Sequence, residues 1–373
     1  MTSATAEEML AGIRRWVEIE SHTPDVAGIA RLCDTIAADY ASCGARSERI
    51  AGRDGQGDQL IVRAPWGEGS NAPGILVLSH NDTVHPAGTI GEFPFRVEGD
   101  LAYGPGICDM KGGSYIAMQA VREIAAAGTG RLPVTHLMVS DEEIGSPTSR
   151  AVIEELARAA KYVLVTEPAR EGGKIVTARK GVMRFEAETF GTAAHAGTRH
   201  QAGRSAVVEI ARLTLKFAAL TDYDRGITCN VGEITGGTGV NVVAAHARIR
   251  VDVRVPDAEA AEEVQAFVDG LWAEDPDIRL SITGGLNRPA YETDARVAAL
   301  FDHARALAAE IGFDLVGLKT GGGSDGNFTA PLTPTLDGLG VDGNDAHTLN
   351  EHLLISSLEP RRDLLKRLLE TLE

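Results

Sequence analysis

The sequence predicts an α/β fold: a mostly parallel sheet flanked by helices, with a ferredoxin-like α+β segment inserted into it. Three observations carry the prediction. Short apolar runs such as GILVLSH, PVTHLMVS and KYVLVTE alternate with stretches of helical periodicity up to Glu167, the pattern of strands joined by crossover helices. Between residues 180 and 287 the order becomes β-α-β-β-α-β, the ferredoxin-like arrangement. After Arg288 the first style resumes, as it does when a chain leaves a domain and returns to it.

Each element has its own signal. Residues 4–19 and 25–42 carry helical periodicity, the second opening after Pro24-Asp25. QLIVRAP and GILVLSH are strands bounded by Gly and Pro; a small-residue helix over 112–127 follows, then the strand PVTHLMVS, a helix over 147–160 and the strand KYVLVTE. In the insertion, VMRFEAETFG alternates as a half-exposed strand, Arg204 to Leu220 reads as a helix, and ITCNVGEITGG and ARIRVDVRV read as strands. A helix over 257–272 and the strand IRLSITGG close it. The last part predicts a helix over 293–311, the strand DLVGL, a Gly-rich turn, the strand TPTLDGLG and a helix over 357–372. The expected division is one discontinuous domain, 1–179 with 288–373, and one inserted domain, 180–287.

Composition narrows the function. The 373 residues exceed one ordinary domain of ~150. With 24% charged and 43% hydrophobic residues the chain reads as globular, and a formal charge of −17 argues against nucleic acid or an anionic membrane as partner. No apolar run reaches the eighteen or so residues of a membrane span, and the start carries acids early with no signal-peptide core. Cys33, Cys43, Cys108 and Cys229 lack CxxC spacing, which fits free thiols in a reducing compartment, so the expected location is cytoplasmic.

The chemistry-bearing residues gather where an open α/β sheet holds ligands, just past the carboxyl ends of strands. GILVLSHNDTV delivers His80 and Asp82, YGPGICDMKGG delivers Asp109, LMVSDEEIGS delivers Asp141, Glu142 and Glu143, YVLVTEPA delivers Glu167, and GNDAHTLNEHL delivers His347. Two His and several carboxylates without Cys suit zinc or a similar ion, and the surplus of acids allows two ions sharing one carboxylate. Taken singly, each residue has a plain structural explanation: a hydrogen-bonded His, a solvated acid run, an Asp in a turn. The convergence of five segments favours a site.

These motifs resemble the co-catalytic zinc metallopeptidases that include bacterial glutamate carboxypeptidase, succinyl-diaminopimelate desuccinylase, acetylornithine deacetylase and aminoacylase. The stretches that carry the resemblance are SHNDTVHP, FPFRVEGDLAYGPGICDMKGG, SDEEIGSPTSR, YVLVTEP, AHAG, TGGGSDGNF and the His347 segment. It runs from about residue 10 to the C-terminus and is nearest to glutamate carboxypeptidase. The resemblance implies two Zn2+ per subunit, replaceable by Co2+ or Mn2+. His80 and Glu167 would hold the first ion, Glu143 and His347 the second, with Asp109 bridging through a peptide to Met110 that is often cis. Asp82 would orient His80, Glu142 would be the general base, and His195 of GTAAHAG would reach the neighbouring subunit's site to stabilise an oxyanion. Cys108 and Met110 match no ligand position. His85 and His352 are expected to be structural or surface residues, and His200 a surface one.

The resemblance further implies hydrolysis of an amide beside a free carboxylate, releasing a C-terminal glutamate or similar amino acid from an N-acyl or peptidyl group. The nearest rival is a deacylase of small acyl or auxin-like amino-acid conjugates. From another class, a non-catalytic zinc-binding protein is the alternative. A glycosidase fits poorly, because adjacent Glu142 and Glu143 in an extended segment would point apart. Arg254, Arg288, Lys174 and Asn241 are candidates for the substrate carboxylate, with Gly322 and Gly323 offering main-chain N–H groups in a tight turn. Arg254 could instead pair with a lid acid, and Arg288 could sit at a domain hinge. A homodimer formed through the inserted lid is the expected assembly.

Overall fold

The computed structural model describes residues 3–67 and 72–373. The chain folds as two units: Met1–Ala178 with Glu292–Lys319 and Ser324–Glu373, and Arg179–Tyr291 with Thr320–Gly323. The chain thus returns to the first unit at Glu292 rather than Arg288. The Gly-rich turn of 320–323 belongs to the second unit.

The first unit is built on a six-stranded sheet. Four strands run parallel in the order Val134–Val139, Ile75–His80, Tyr162–Val165 and Thr335–Leu336. An antiparallel ribbon, Arg46–Ile50 and Gln59–Arg63, extends the sheet beyond Val134–Val139. The parallel strands read as unbroken apolar runs because both their faces are covered. Ile75 and Val77 enter one core, with the helices Ala6–Val17, Val26–Ala41, Gly112–Ala127, Ala295–Ile311 and Leu358–Thr371. Leu76 and Leu78 enter a second core with the helix Arg150–Ala159. The helix starts are chemically marked: Thr5 and Glu8 form a reciprocal capping box, and Asp25 and Asp294 accept main-chain N–H groups of the helices they precede.

A smaller antiparallel sheet, Gly343–Asn344, His352–Leu354, Leu101–Tyr103 and Arg96–Glu98, matters for the site. It joins the segment that carries His347 to the strand that leads into Asp109. Its strands have two or three residues each, too short for a periodic signal.

In the second unit the strands Thr228–Gly236, His246–Val255, Gly181–Phe190 and Arg279–Arg288 lie in that order, all antiparallel. Alternate residues Met183, Phe185 and Ala187 pack with Ile210, Phe217 and Val264 of the helices Ala206–Ala218 and Ala258–Asp269. A two-residue pairing, Ala194–His195 with Val242–Val243, is added to the ferredoxin-like plan.

Some local expectations differ from the fold. Two strands add to those expected: Arg46–Ile50, an exposed polar edge strand without apolar alternation, and Ile175–Arg179, which is buried throughout. The strand expected at DLVGL lies instead at Gly317–Thr320, and only Thr335–Leu336 of TPTLDGLG is extended in the sheet. Asp337 and Gly338, with positive φ at the glycine, turn the chain immediately afterwards.

Candidate metal centre

The three central parallel strands end side by side, and each hands over an acid or imidazole at its carboxyl end. His80 is the last residue of Ile75–His80, Glu142 and Glu143 follow Val134–Val139, and Glu167 follows Tyr162–Val165. Asp109 comes from the irregular turn Ile107–Lys111, where Asp109 (φ −114°, ψ 92°) breaks helical geometry and the peptide to Met110 is cis. His347 is held in the left-handed region at φ 68°.

These side chains meet. Asp109 Oδ1 lies 3.1 Å from His80 Nε2, while its Oδ2 lies 3.4 Å from His347 Nε2. His347 Nε2 is also 3.2 Å from Glu143 Oε2, and His80 Nε2 is 3.8 Å from Glu167 Oε1. Two triplets, His80–Asp109–Glu143 and His80–Glu142–Glu167, each offer ligand atoms within 4.8 Å of one another. Nδ1 of His80 sits 2.9 Å from the main-chain carbonyl of Asp82, which can only accept, so Nδ1 carries a proton and Nε2 is the nitrogen that would give up its own to meet a cation.

The charges explain what the cluster requires. Burial alone would lower His80, but Asp109 and Asp82 outweigh it and hold the imidazole well above its usual range. Hydrogen bonds to Asp109 and Glu143 push His347 up to about 10. Burial pushes Glu143 up to about 7, with Asp109 and Glu142 adding to it against His347. Glu167 is raised by burial and then by Asp109 and Glu142. Burial opposes ionisation of Asp109 too, yet His347 and His80 pull it well below the ordinary carboxylate range. Glu143 Oε1 is buried without a hydrogen-bond partner among the described residues. Buried carboxylates in surplus, imidazole nitrogens aimed at them and an unsatisfied carboxylate oxygen fit a divalent cation.

The acid turn is braced from below. Glu142–Ile144 forms one 3₁₀ turn, which corrects the extended segment expected from sequence. With three residues per turn, the neighbouring acids still point ~120° apart. Asp141, the acid without an assigned role, is fully buried. Its carboxylate accepts from Thr148 N (2.6 Å), Thr148 Oγ1 (2.7 Å), Ser149 N (3.2 Å) and Ser149 Oγ (2.5 Å), which closes the loop. The Asp82 carboxylate accepts from Thr23 Oγ1 (2.8 Å), Glu142 N (3.3 Å) and Glu143 N (3.2 Å). Asp82 therefore orients His80 mainly through its main chain, and its side chain carries the acid turn. Ser146 donates to Asp325, tying the same loop to the segment after the Gly-rich turn.

The remaining candidates divide between the units. Lys174, in the first, is spent on Glu171 at 2.7 Å. His195, Arg254, Arg288, Asn241, Gly322 and Gly323 belong to the second. There Arg254 pairs with Asp252, Nε to Oδ1 at 2.6 Å and the second nitrogen to Oδ2 at 3.0 Å, and also donates to Gly321 O. Arg288 is buried, with its stem against Gly323. The Gly322 and Gly323 carbonyls accept from Arg179, a residue that carried no sequence motif. The Asn241 carbonyl accepts from Ala196 N. His195 is exposed, and its Nδ1 accepts from Gly197 N (3.1 Å) and Thr198 N (3.2 Å), which leaves Nε2 as the donor. His85 is buried against Glu351 at 2.6 Å, the His352 ring lies tilted against Tyr103, and His200 is exposed. Cys108 is buried, and burial holds its thiol well above the usual range.

Comparison with known proteins gives the family and the fold. The chain is 31% identical to carboxypeptidase G2 of Pseudomonas sp. (strain RS-16), over 96% of this chain and 88% of that protein. It is 30% identical to a succinyl-diaminopimelate desuccinylase of Bordetella petrii, over 100% and 99% of the two chains. Among solved structures, a tripeptidase from Staphylococcus aureus superposes with a TM-score of 0.82 at 21% identity, covering 99% of each chain. An M20 family metallo-carboxypeptidase from Sulfolobus solfataricus gives 0.76 at 16%, covering 97% of this chain and 98% of that one. The profile of the peptidase family M20/M25/M40 matches residues 76–371, which span every acid and imidazole of the cluster, and the chain belongs to that family of hydrolases.

Proposed function

We propose that this protein is a dizinc amidohydrolase that cleaves the amide next to a free carboxylate, releasing a C-terminal glutamate or a similar amino acid from an N-acyl or peptidyl group. The observation that carries the reading is Asp109, whose two oxygens face two different imidazoles, His80 and His347. His80, Asp109 and Glu167 would hold one ion, and Glu143, Asp109 and His347 the other. When bound, the ions polarise the scissile carbonyl and acidify the attacking water. Glu142, on the 3₁₀ turn beside these ligands, takes the proton from the water and delivers it to the leaving nitrogen. His195 donates from Nε2 to the developing oxyanion.

The substrate carboxylate calls for fixed positive charge, and the second unit offers Arg288 and Arg254 around the 321–323 turn. Arg suits two-point recognition of a carboxylate, and Arg254 would have to exchange its pairing with Asp252 to serve it. A twin subunit is supported by apolar side chains left on the lid: Val208 and Leu215 on the helix Ala206–Ala218, and Ile234 on the edge strand Thr228–Gly236, are 51%, 72% and 57% exposed. The four cysteines are free, in keeping with a reducing, cytoplasmic setting, and no helix among the described residues is long and apolar enough to cross a membrane.

The deciding experiment reconstitutes the protein with zinc and offers N-acyl-glutamates, N-acyl-aspartates, dipeptides and N-acetyl or N-succinyl amino acids. Free amino acid is the readout. Fastest release of glutamate is expected; preference for a small acyl group whatever the amino acid would favour the deacylase. A metal-loaded protein that cleaves no amide would leave only a zinc-binding role. His195→Ala should lose most activity, and sedimentation should give a dimer; full activity in that variant or an active monomer would remove the trans-acting histidine.

A further inference from the structure

Glu351 lies four residues beyond His347 and touches none of the reacting groups. It is fully buried, and its carboxylate is saturated. Oε1 accepts from Cys108 N and Asp109 N, both at 2.9 Å, and Oε2 accepts from Gly106 N at 3.0 Å and lies 2.6 Å from His85 Nε2. A carboxylate offers about four acceptor sites, and here three main-chain N–H groups and one imidazole N–H fill them. The pairing of His352 with Tyr103 brings Glu351 there, since Glu351 precedes one strand and the 104–109 turn follows the other.

The partners share one property. Gly106, Cys108 and Asp109 form the turn that aims the Asp109 carboxylate, and His85 stands five residues past His80. Glu351 itself rides on the segment of His347. One buried side chain therefore ties together three of the segments that supply ligands. We propose that Glu351, seated on His85, is the positioning residue of the metal centre: it sets where the Asp109 carboxylate stands between His80 and His347. The inference rests on the metal-binding reading above, though not on the identity of the substrate.

The chemistry sets an order among variants. Glu351→Gln keeps the shape but has one carbonyl oxygen, so it can serve the Cys108–Asp109 pair or Gly106, with an NH2 facing the other. Glu351→Ala serves neither. Partners that orient ligands typically change metal affinity ~10–100-fold, so Gln is expected to weaken zinc binding about 10-fold and Ala about 100-fold. His85→Gln leaves the three main-chain contacts intact and is expected to fall between wild type and Glu351→Gln.

The test measures zinc dissociation constants by competition with a chromophoric chelator on the full-length protein, well below each variant's melting temperature. The visible spectrum of the cobalt-loaded protein is recorded alongside. The expected result is a graded loss of affinity with an altered cobalt spectrum in both Glu351 variants. Variants that melt earlier, yet bind zinc within 2-fold of wild type with an unchanged cobalt spectrum, would show a merely structural carboxylate and overturn the proposal. If Glu351→Ala does not fold, Glu351→Gln and His85→Gln decide by the same readouts. A wild-type protein that binds no divalent ion would overturn the metal centre and this inference together, whereas normal wild-type binding with unaffected variants overturns the inference alone.

Discussion

Glu142 and Glu143 are neighbours of the same chemistry whose surroundings divide them. Glu143 is buried against His347, and a ligand role suits it; Glu142 stands one third of a turn away on the same 3₁₀ element. Replacing Glu142 by Ala is expected to lower kcat by about 10²–10⁴-fold while zinc content stays the same; metal analysis beside a turnover assay checks both halves. Asp141 carries a different expectation. Asp141→Ala strands two main-chain N–H groups and two hydroxyls in the interior, at roughly 3 kcal/mol of stability, readable by urea unfolding. His136 gives a pH signature. It is buried between Tyr40 and Ser79, 2.6 Å from each, and burial lowers its pKa from 6.5 to about 3. The unfolded chain therefore binds the extra proton between those values, so this stability is full above pH 6.5 and is lost as pH falls towards 3. At pH 5 the loss is about 2 kcal/mol, at 1.36 kcal/mol per pKa unit. His136→Gln should flatten the acid limb of a melting-temperature profile, and an unchanged limb would refute the assignment.

At the scale of elements, the helix Gly112–Ala127 must come close to the sheet because it starts where Asp109 ends. Gly113 makes that approach possible. A Cβ there would stand 2.0 Å from the carbonyl oxygen of Thr166, the residue before Glu167. Gly113→Ala is expected to push the helix start off the strand end, at about 3 kcal/mol, and to weaken zinc binding with it. A variant of wild-type stability would mean that the helix shifts freely. The same scale explains what was legible. Fully covered parallel strands announce themselves as apolar runs, and the three central ones end at or just before an acid or imidazole of the cluster. The short antiparallel sheet that unites Glu351 with the Asp109 turn has strands of two or three residues, and no period can be read from so few. Nothing in the sequence therefore sets Glu351 apart from other acids.

The whole molecule is two units with separate cores. The buried residues of the second unit's hydrophobic cluster run from Met183 to Val268, with Leu271, Leu280 and Ile282 packed against them, and Arg179 pairs with Tyr291 where the insertion begins and ends. Expressed alone, residues 179–291 are expected to melt cooperatively with mixed α/β circular dichroism; a non-cooperative transition would show that the lid depends on its host. In the full chain, zinc at 100-fold above its dissociation constant should raise stability by about 2.7 kcal/mol, and a chelator should reverse the gain.

By itself, the sequence determined the α/β class, the family, the inserted β-α-β-β-α-β segment and the identities of the acids and imidazoles, because apolar periodicity and strand-end motifs are local properties of the chain. Tertiary structure decided how those residues share work. Asp82 serves His80 by its carbonyl and the acid turn by its carboxylate, Asp141 closes a loop, Arg254 is consumed by Asp252, and Glu351 joins His85 to the 106–109 turn. Each of these depends on which distant main-chain N–H or carboxylate a side chain meets, and folding alone supplies that partner.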